Sequence, residues 1–404
     1  MALTRPTQAV VLAGGRGTRL RPLTDTIPKP LIPFHGRPFL EYLLEQLRGQ
    51  GFRDVLLLVG YLADQIRGHF GDGSRWGLRI QYVESPLEAE TGQRVRDAAP
   101  LIDPCFMLLY CDNYLPIRMD RMWDAFQGAG APAMVTVYAN RDGYTRNNVR
   151  VDEAGYVMEY DPKRAVPGLN GVEVGYAILR REVLDHLPQG NVSFEHTVYP
   201  ALVSRRLLRA FITEHRYYSV GSHERLPITE AFLAPQRAVI LDRDGVLNRK
   251  PPRAEYVNTW DEFDWLPGVV EALPLFKRAG YKLIVATNQP GIARGMLTEE
   301  ELEQLHARIQ AELAEAGAPL DAIYTCKHGW DEGCFCRKPN PGLLFQAQRD
   351  FHLDLTKTLY VGDDERDMEA GEAAGCPTVL VSDEVSLLDV AHAHLETQPL
   401  GVDV

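Results

Sequence analysis

Long apolar runs are missing from this chain. The longest are short blocks such as Val55–Val59 and Cys105–Leu109, far below the ~18 residues that a membrane-crossing helix needs, so nothing here is expected to span a bilayer. Cysteine is scarce, six in 404 residues, too few for a disulfide scaffold. Positive charge is in deficit: 43 Lys and Arg stand against 55 Asp and Glu, a formal net charge of −12. That excludes a general nucleic-acid-binding role, which needs a basic footprint; phosphorylated small molecules stay eligible, because local Arg and Lys suffice for them. Low-complexity tracts and short-period repeats are absent, and Gly and Pro are scattered. With 45% apolar and 24% charged residues the composition is that of a globular protein, which excludes disorder, collagen and coiled coil. Met1–Thr7 lacks the basic, apolar and small-residue order of a signal peptide, so a cytoplasmic location is the expectation.

What is present is a repeated rhythm. From Gln8 the chain alternates β-type apolar runs (Ala9–Leu12, Val55–Val59) with amphipathic stretches (Pro38–Gln50, Ala63–Phe70). The rhythm restarts at Ala238–Leu241 and continues through Gly268–Ala279, Lys282–Ala286, Thr298–Ala316, Thr358–Val361 and Thr378–Val381. Such alternation predicts parallel sheets covered by helices. At roughly 100–200 residues per domain the length suits two α/β domains, 1–235 and 236–404. Leu226–Gln236 carries two prolines and no strand pattern, which places the boundary there.

In the second half, each apolar strand ends in chemistry. Ala238–Leu241 runs into Asp242-Arg243-Asp244-Gly245, Leu283–Ala286 into Thr287-Asn288-Gln289, and Leu359–Val361 into Gly362-Asp363-Asp364, with Arg337-Lys338-Pro339 between the last two. Open α/β sheets bind ligands at the carboxyl ends of their strands, and paired acids there need a cation. A carboxylate attacks phosphorus only where Mg²⁺ and a lysine neutralise the phosphoryl oxygens, and a second acid must protonate the leaving oxygen. Any one of these acids could be only a turn former or helix cap; four motifs in this order point to phosphoryl transfer. Separately, Cys326-Lys-His328 and Cys334-Phe-Cys336 place three thiols and an imidazole within eleven residues, the donor set of a closed tetrahedral zinc site. Cys105, Cys111 and Cys376 read as core positions.

The blocks LDRDGVLN (241–248), ATNQPGIARG (286–295), CRKPNPG (336–342) and VGDDERD (361–367) resemble the haloacid dehalogenase superfamily, in its heptose-1,7-bisphosphate and histidinol-phosphate phosphatase branch. The resemblance implies a Rossmann-like fold with a zinc-binding loop. It implies Asp242 as the nucleophile that becomes an aspartyl-phosphate, Asp244 as general acid and base, and Thr287, Asn288 and Lys338 around the phosphoryl group. Mg²⁺ would sit on Asp242, the Asp244 carbonyl and Asp363, with Asp364 as a helper. Cys326, His328, Cys334 and Cys336 would bind structural zinc, and Arg337 is a candidate for the substrate's second anionic group.

The first half opens with a glycine-rich loop after its first strand, Gly14-Gly15-Arg16-Gly17-Thr18-Arg19, whose amides can approach phosphate closely. Lys29 lies between two prolines, and the strand Phe106–Tyr110 leads to Cys111-Asp112. The block LAGGRGTRLRPLTDTIPKPLIP, with Asn147–Arg150 and Gly171–Leu179, resembles sugar-1-phosphate nucleotidyltransferases over most of 8–225. That implies a Rossmann-like fold on a mixed sheet. It implies Gly14, Gly15 and Arg19 on a nucleoside triphosphate, Lys29 on the sugar phosphate, Asp112 on Mg²⁺ and Glu173 on a sugar hydroxyl. Three positions depart from the family's pattern. Glu90–Arg94 is bulky and charged where small residues face the base, Ser219 stands where a second metal-binding acid is usual, and Cys111 replaces a glycine.

Together the halves imply consecutive steps: removal of the 7-phosphate from a heptose 1,7-bisphosphate, then activation of heptose 1-phosphate by an NTP. The expected partners are a phosphorylated sugar and a nucleoside triphosphate, with no nucleic acid or membrane, and a homo-oligomer is compatible. A histidinol-phosphate or other small-monoester phosphatase carrying a degraded, purely binding first domain is the alternative.

Overall fold

The computed structural model describes residues 4–252 and 255–397, and its backbone divides into two compact units between Ala234 and Pro235. The N-terminal unit is built on seven strands: β1 (Gln8–Leu12), β2 (Asp54–Val59), β3 (Arg79–Glu84), β4 (Cys105–Tyr110), β5 (Ala133–Tyr138), β6 (Val172–Arg180) and β7 (Leu208–Thr213), in the order β7-β5-β6-β4-β1-β2-β3. β1 is parallel to β2 and β4, whereas β6 runs antiparallel between β4 and β5. The sheet is therefore mixed. β1 and β2 are buried on both faces, as their unbroken apolar sequences require. A two-residue antiparallel pair, Asn113–Tyr114 with Tyr218–Ser219, lies beyond the end of β4.

Leu226–Gln236, read from its prolines as a connection, mostly forms a helix, Leu226–Leu233, with Pro227 in the first turn, where a missing N–H costs nothing. Phe232 of this helix stacks on Tyr218, centroids 3.6 Å apart, fixing it to the N-terminal unit.

The C-terminal unit carries five parallel strands: β8 (Arg237–Leu241), β9 (Tyr281–Asn288), β10 (Ala322–Cys326), β11 (Leu359–Gly362) and β12 (Thr378–Leu380), ordered β10-β9-β8-β11-β12. Leu241 pairs with Val285 on one side and Val361 on the other. That register brings Asp242, Thr287 and Asp363 out together at the carboxyl edge. Asn288 pairs with Cys326, so the cysteine loop begins beside the same edge. The helix Glu299–Glu315 starts with a capping box between Thr298 and Glu301, which satisfies two of its orphan amides. Among the described residues no helix is long and apolar enough to cross a membrane.

Candidate active sites

At the carboxyl edge of β8 the side chain of Asp242 is buried, with Lys338 Nζ 2.8 Å from its Oδ1. The same ammonium lies 2.6 Å from Asp367 Oδ1 and donates to the Ala286 carbonyl at 3.0 Å. Burial pushes the Asp242 carboxyl up to about 7, with Lys338 opposing and Asp367 and Asp244 adding to the rise. Burial works against the Lys338 charge, yet its two carboxylates hold it above its ordinary value. Asn288 Nδ2 donates to the Lys338 carbonyl and Asn288 Oδ1 accepts from the Lys338 amide, both at 3.1 Å. The asparagine is thus spent on placing the lysine.

Asp244 has different surroundings. Arg243 donates to both of its oxygens at 2.9 Å, Asn248 Nδ2 to Oδ1 at 2.9 Å and Gln289 Nε2 to Oδ2 at 2.8 Å. Burial favours its protonation, but the Arg243 charge and these donors prevail, and its pKa is lowered. Gln289 also donates to Thr287 Oγ1 at 2.9 Å, so one amide orients the acid and the hydroxyl together. Behind them the fully buried Arg243 lies 3.4 Å from His306 Nε2. Burial first, then the Arg243 charge, pull that histidine down to about 3; it is neutral and accepts.

Asp363 Oδ2 accepts from Lys250 at 2.8 Å, while Asp363 Oδ1 is buried without a hydrogen-bond partner. One oxygen from each of Asp242, Asp363 and Asp367 falls within 4.8 Å of the others. An all-carboxylate set with an orphaned oxygen fits a hard divalent cation such as Mg²⁺. Gly245 (φ +95°) passes so close that a Cβ there would meet Asp363 Oδ2 at 2.1 Å, which requires glycine. These groups open into a cavity of about 880 Å³, also walled by Trp330, Arg337 and Arg366.

Beside it, Cys326 Sγ lies 3.7 Å from Cys334 Sγ, 3.4 Å from Cys336 Sγ and 3.6 Å from His328 Nδ1; Cys336 Sγ is 3.5 Å from Cys334 Sγ and 3.1 Å from His328 Nδ1. A tetrahedron with Zn–S bonds of about 2.3 Å has edges of about 3.7 Å, so the four donors fit zinc. Arg337 donates to the His328 carbonyl at 3.3 Å, tying this loop to the cavity wall.

In the N-terminal unit Gly14, Gly15 and Arg19 line a second cavity, of about 490 Å³, with Lys29, Arg94 and Asp112. Lys29 Nζ forms an ion pair with Asp112 Oδ2, and Arg19 is exposed to the opening. Ser219 pairs with Asn113, and the Val220 amide donates to the Asp112 carbonyl at 2.8 Å. The position that lacks a second acid therefore adjoins Asp112. Cys111 is buried, and burial pushes its thiol up to about 12, an inert group.

A family model described as nucleotidyl transferase matches residues 8–223, more than half of the 404 residues. The chain belongs to that family. A HAD-hydrolase-like model matches 335–399. The D-glycero-beta-D-manno-heptose-1,7-bisphosphate 7-phosphatase of Pseudomonas aeruginosa is 44% identical over 143 residues, 35% of this chain and 79% of that protein. One from Helicobacter pylori is 41% identical over 140 residues, 34% of this chain and 79% of that protein. The crystal structure of a D,D-heptose 1,7-bisphosphate phosphatase from B. bronchiseptica, complexed with magnesium and phosphate, covers 40% of this chain and 99% of its own at 34% identity and TM-score 0.38. A Bacillus anthracis structure described as a glucose-1-phosphate thymidylyltransferase covers 55% of this chain and 94% of its own at 18% identity and TM-score 0.50, a likeness of fold. The chain is a phosphatase fused to a nucleotidyltransferase domain, and its C-terminal unit belongs with the heptose bisphosphate phosphatases.

The phosphatase unit brings Asp242, Asp244, Thr287, Lys338 and Asp363 to one edge, as the motif order implies. Asp364 caps the helix Glu365–Ala373 and bonds Arg366, and it also accepts from Lys250 at 3.1 Å and lines the same cavity. Asp367 was legible only as a helix-cap partner four residues after Asp363, and sequence reasoning missed it. Arg243 and Gln289 were missed as well, since no spacing rule says which way they face. In the nucleotidyltransferase unit Glu173 is not among the residues lining the cavity. It accepts from the Gly175 amide at 2.7 Å at a bulge in β6.

Proposed function

We propose that the phosphatase unit removes the 7-phosphate of D-glycero-D-manno-heptose 1,7-bisphosphate, and that the nucleotidyltransferase unit activates the resulting heptose 1-phosphate with an NTP. The observation that carries the first half is Lys338 held between Asp242 and Asp367 at the floor of the large cavity; the likeness to the heptose bisphosphate phosphatases supports the choice of sugar.

A carboxylate oxygen of Asp242 attacks phosphorus, the bond from phosphorus to the sugar oxygen breaks, and an aspartyl-phosphate forms. Asp244 gives its proton to the departing oxygen, then takes one from the water that splits the acyl phosphate. Because the resting Asp244 is held ionised by Arg243, it must gain a proton before the first step and is ready as a base for the second. Lys338 balances the phosphoryl charge throughout. Asp242, Asp363 and the Asp244 carbonyl would hold Mg²⁺, which when bound supplies positive charge at the phosphoryl oxygens. Arg337 and Arg366 on the cavity wall are the candidates for the second phosphate. Cys326, His328, Cys334 and Cys336 would hold zinc in a structural role.

In the other unit the glycine-rich loop and Arg19 would hold the triphosphate, Lys29 the sugar phosphate and Asp112 the metal. An oxygen of the sugar phosphate attacks the α-phosphorus and pyrophosphate departs, a reaction that rests on positioning and charge. Phosphorus NMR of the full chain with heptose 1,7-bisphosphate, Mg²⁺ and the four ribonucleoside triphosphates tests both halves. Inorganic phosphate followed by a new pyrophosphate diester is expected. Equal turnover of histidinol phosphate would overturn the sugar assignment, and inorganic phosphate alone would overturn the transferase half.

A further inference from the structure

Arg94 sits on the helix Thr91–Ala98 and is only 3% exposed. The sequence places it in the stretch that faces a nucleobase, yet its side chain turns inward. Nε donates to the Ala89 carbonyl at 3.0 Å, Nη1 to the Val59 carbonyl at 2.8 Å, and Nη2 to the Pro86 and Leu87 carbonyls at 3.2 and 3.4 Å. These partners are all neutral. Asp97 and Glu90 act on the guanidinium from a distance, against a burial that disfavours its charge.

The guanidinium also occupies the space beneath two glycines. A Cβ on Gly14 would lie 2.2 Å from Nη1, and one on Gly60 2.5 Å from it. One side chain therefore bonds the end of β2 to the segment Pro86–Ala89 and packs against Gly14 of the glycine-rich loop. Of the residues it touches, Gly14, Leu87 and Ala89 line the smaller cavity. Lys29 in that cavity is already neutralised by Asp112 and Arg16 by Glu88. Arg94 has no such carboxylate, and a buried charge of this kind raises the potential of the cavity it borders.

We propose that Arg94 is a positioning residue of the nucleotide site, fastening the Pro86–Ala89 segment to the end of β2 beneath the glycine-rich loop and setting a fixed positive charge behind Gly14 that favours a triphosphate. This rests on the nucleotide reading of the N-terminal unit. It explains why a bulky cation is tolerated there: its charge serves the phosphate side of the cavity, and its carbon chain does not obstruct the opening.

The test is equilibrium dialysis of the full chain against ATP, GTP, CTP and UTP with Mg²⁺, with hydrogen exchange of residues 86–90 followed in parallel. Arg94→Gln is expected to weaken the preferred nucleotide at least tenfold and to speed exchange across 86–90, while phosphate release by the other unit stays at the wild-type rate. Arg94→Lys keeps the charge without the fork; it is expected to recover part of the affinity while exchange stays fast. Wild-type affinity or wild-type exchange in R94Q overturns the inference, and if R94Q fails to fold, the same result in R94K does so. A wild-type chain that binds none of the four at millimolar concentration overturns the nucleotide reading itself, and the inference with it.

Discussion

Lys338 Nζ and Asp367 Oδ1 lie 2.6 Å apart with both side chains buried, and the pair is closed from the far side by the Tyr360 hydroxyl, which donates to the same carboxylate oxygen at 2.9 Å. The lysine is thereby shared between Asp367 and Asp242. Its distance from Asp242 is set by a residue three positions beyond the acidic pair Asp363–Asp364 that follows β11.

Asp367→Asn should leave Lys338 with Asp242 as its sole carboxylate. Loss of one of two charged hydrogen-bond partners destabilises by about 1.5–3 kcal/mol, and loss of an aligned charge in the site lowers turnover by about 10²-fold. Phosphate release and urea unfolding of the variant check both; unchanged turnover would show that Asp367 is only a helix-cap partner.

Asp242→Asn should abolish phosphate release without unfolding the chain, because the amide keeps the shape and removes the attacking carboxylate. Retained turnover, measured with an intact melting transition, would remove Asp242 from the role of nucleophile.

The four donors of the cysteine loop should hold one zinc per chain in metal analysis. Cys334→Ser is expected to lose it and, because Cys334 and Arg337 both line the large cavity, to raise KM more than it lowers kcat. A zinc-free wild-type chain with full activity in Mg²⁺ would contradict this.

Glu173 gives a pH signature. Burial, opposed by the Gly175 amide, pushes its carboxyl from 4.5 up to about 8. An acid whose pKa is raised on folding contributes its full stability below the unfolded value and loses it as pH rises through the folded one. The melting temperature of the N-terminal unit should therefore fall between about pH 5 and pH 8, and Glu173→Gln should flatten that slope. Parallel slopes in both proteins would count against a protonated Glu173.

Ser219→Asp places a carboxylate next to Asp112. It should lower the Mg²⁺ concentration needed for nucleotide binding in equilibrium dialysis, since divalent affinity grows with the number of anionic ligands. No change would mean that the Ser219 position does not face the metal.

The α/β class, the glycine-rich loop, the acids Asp242, Asp244 and Asp363 and the cluster of Cys326, His328, Cys334 and Cys336 were legible in the sequence by itself. Each is announced by local features: an apolar strand, a turn, and a chemically unusual residue at its end. The chain could not announce what depends on neighbours brought together by register. Leu241, Val285 and Val361 must lie side by side before Asn288 can bond both sides of the Lys338 backbone, or Gln289 can reach Asp244 and Thr287 at once. Asp367 reads locally as a cap partner, and only the strand order places it against Lys338. Arg94 reads as added charge at an opening, yet the carbonyls at the end of β2 and along Pro86–Ala89 turn it inward. Periodicity and motif spacing encode which residues a strand presents. Which carboxylate, carbonyl or glycine each one meets is decided by contacts tens of residues apart, and those exist only once the sheets have formed.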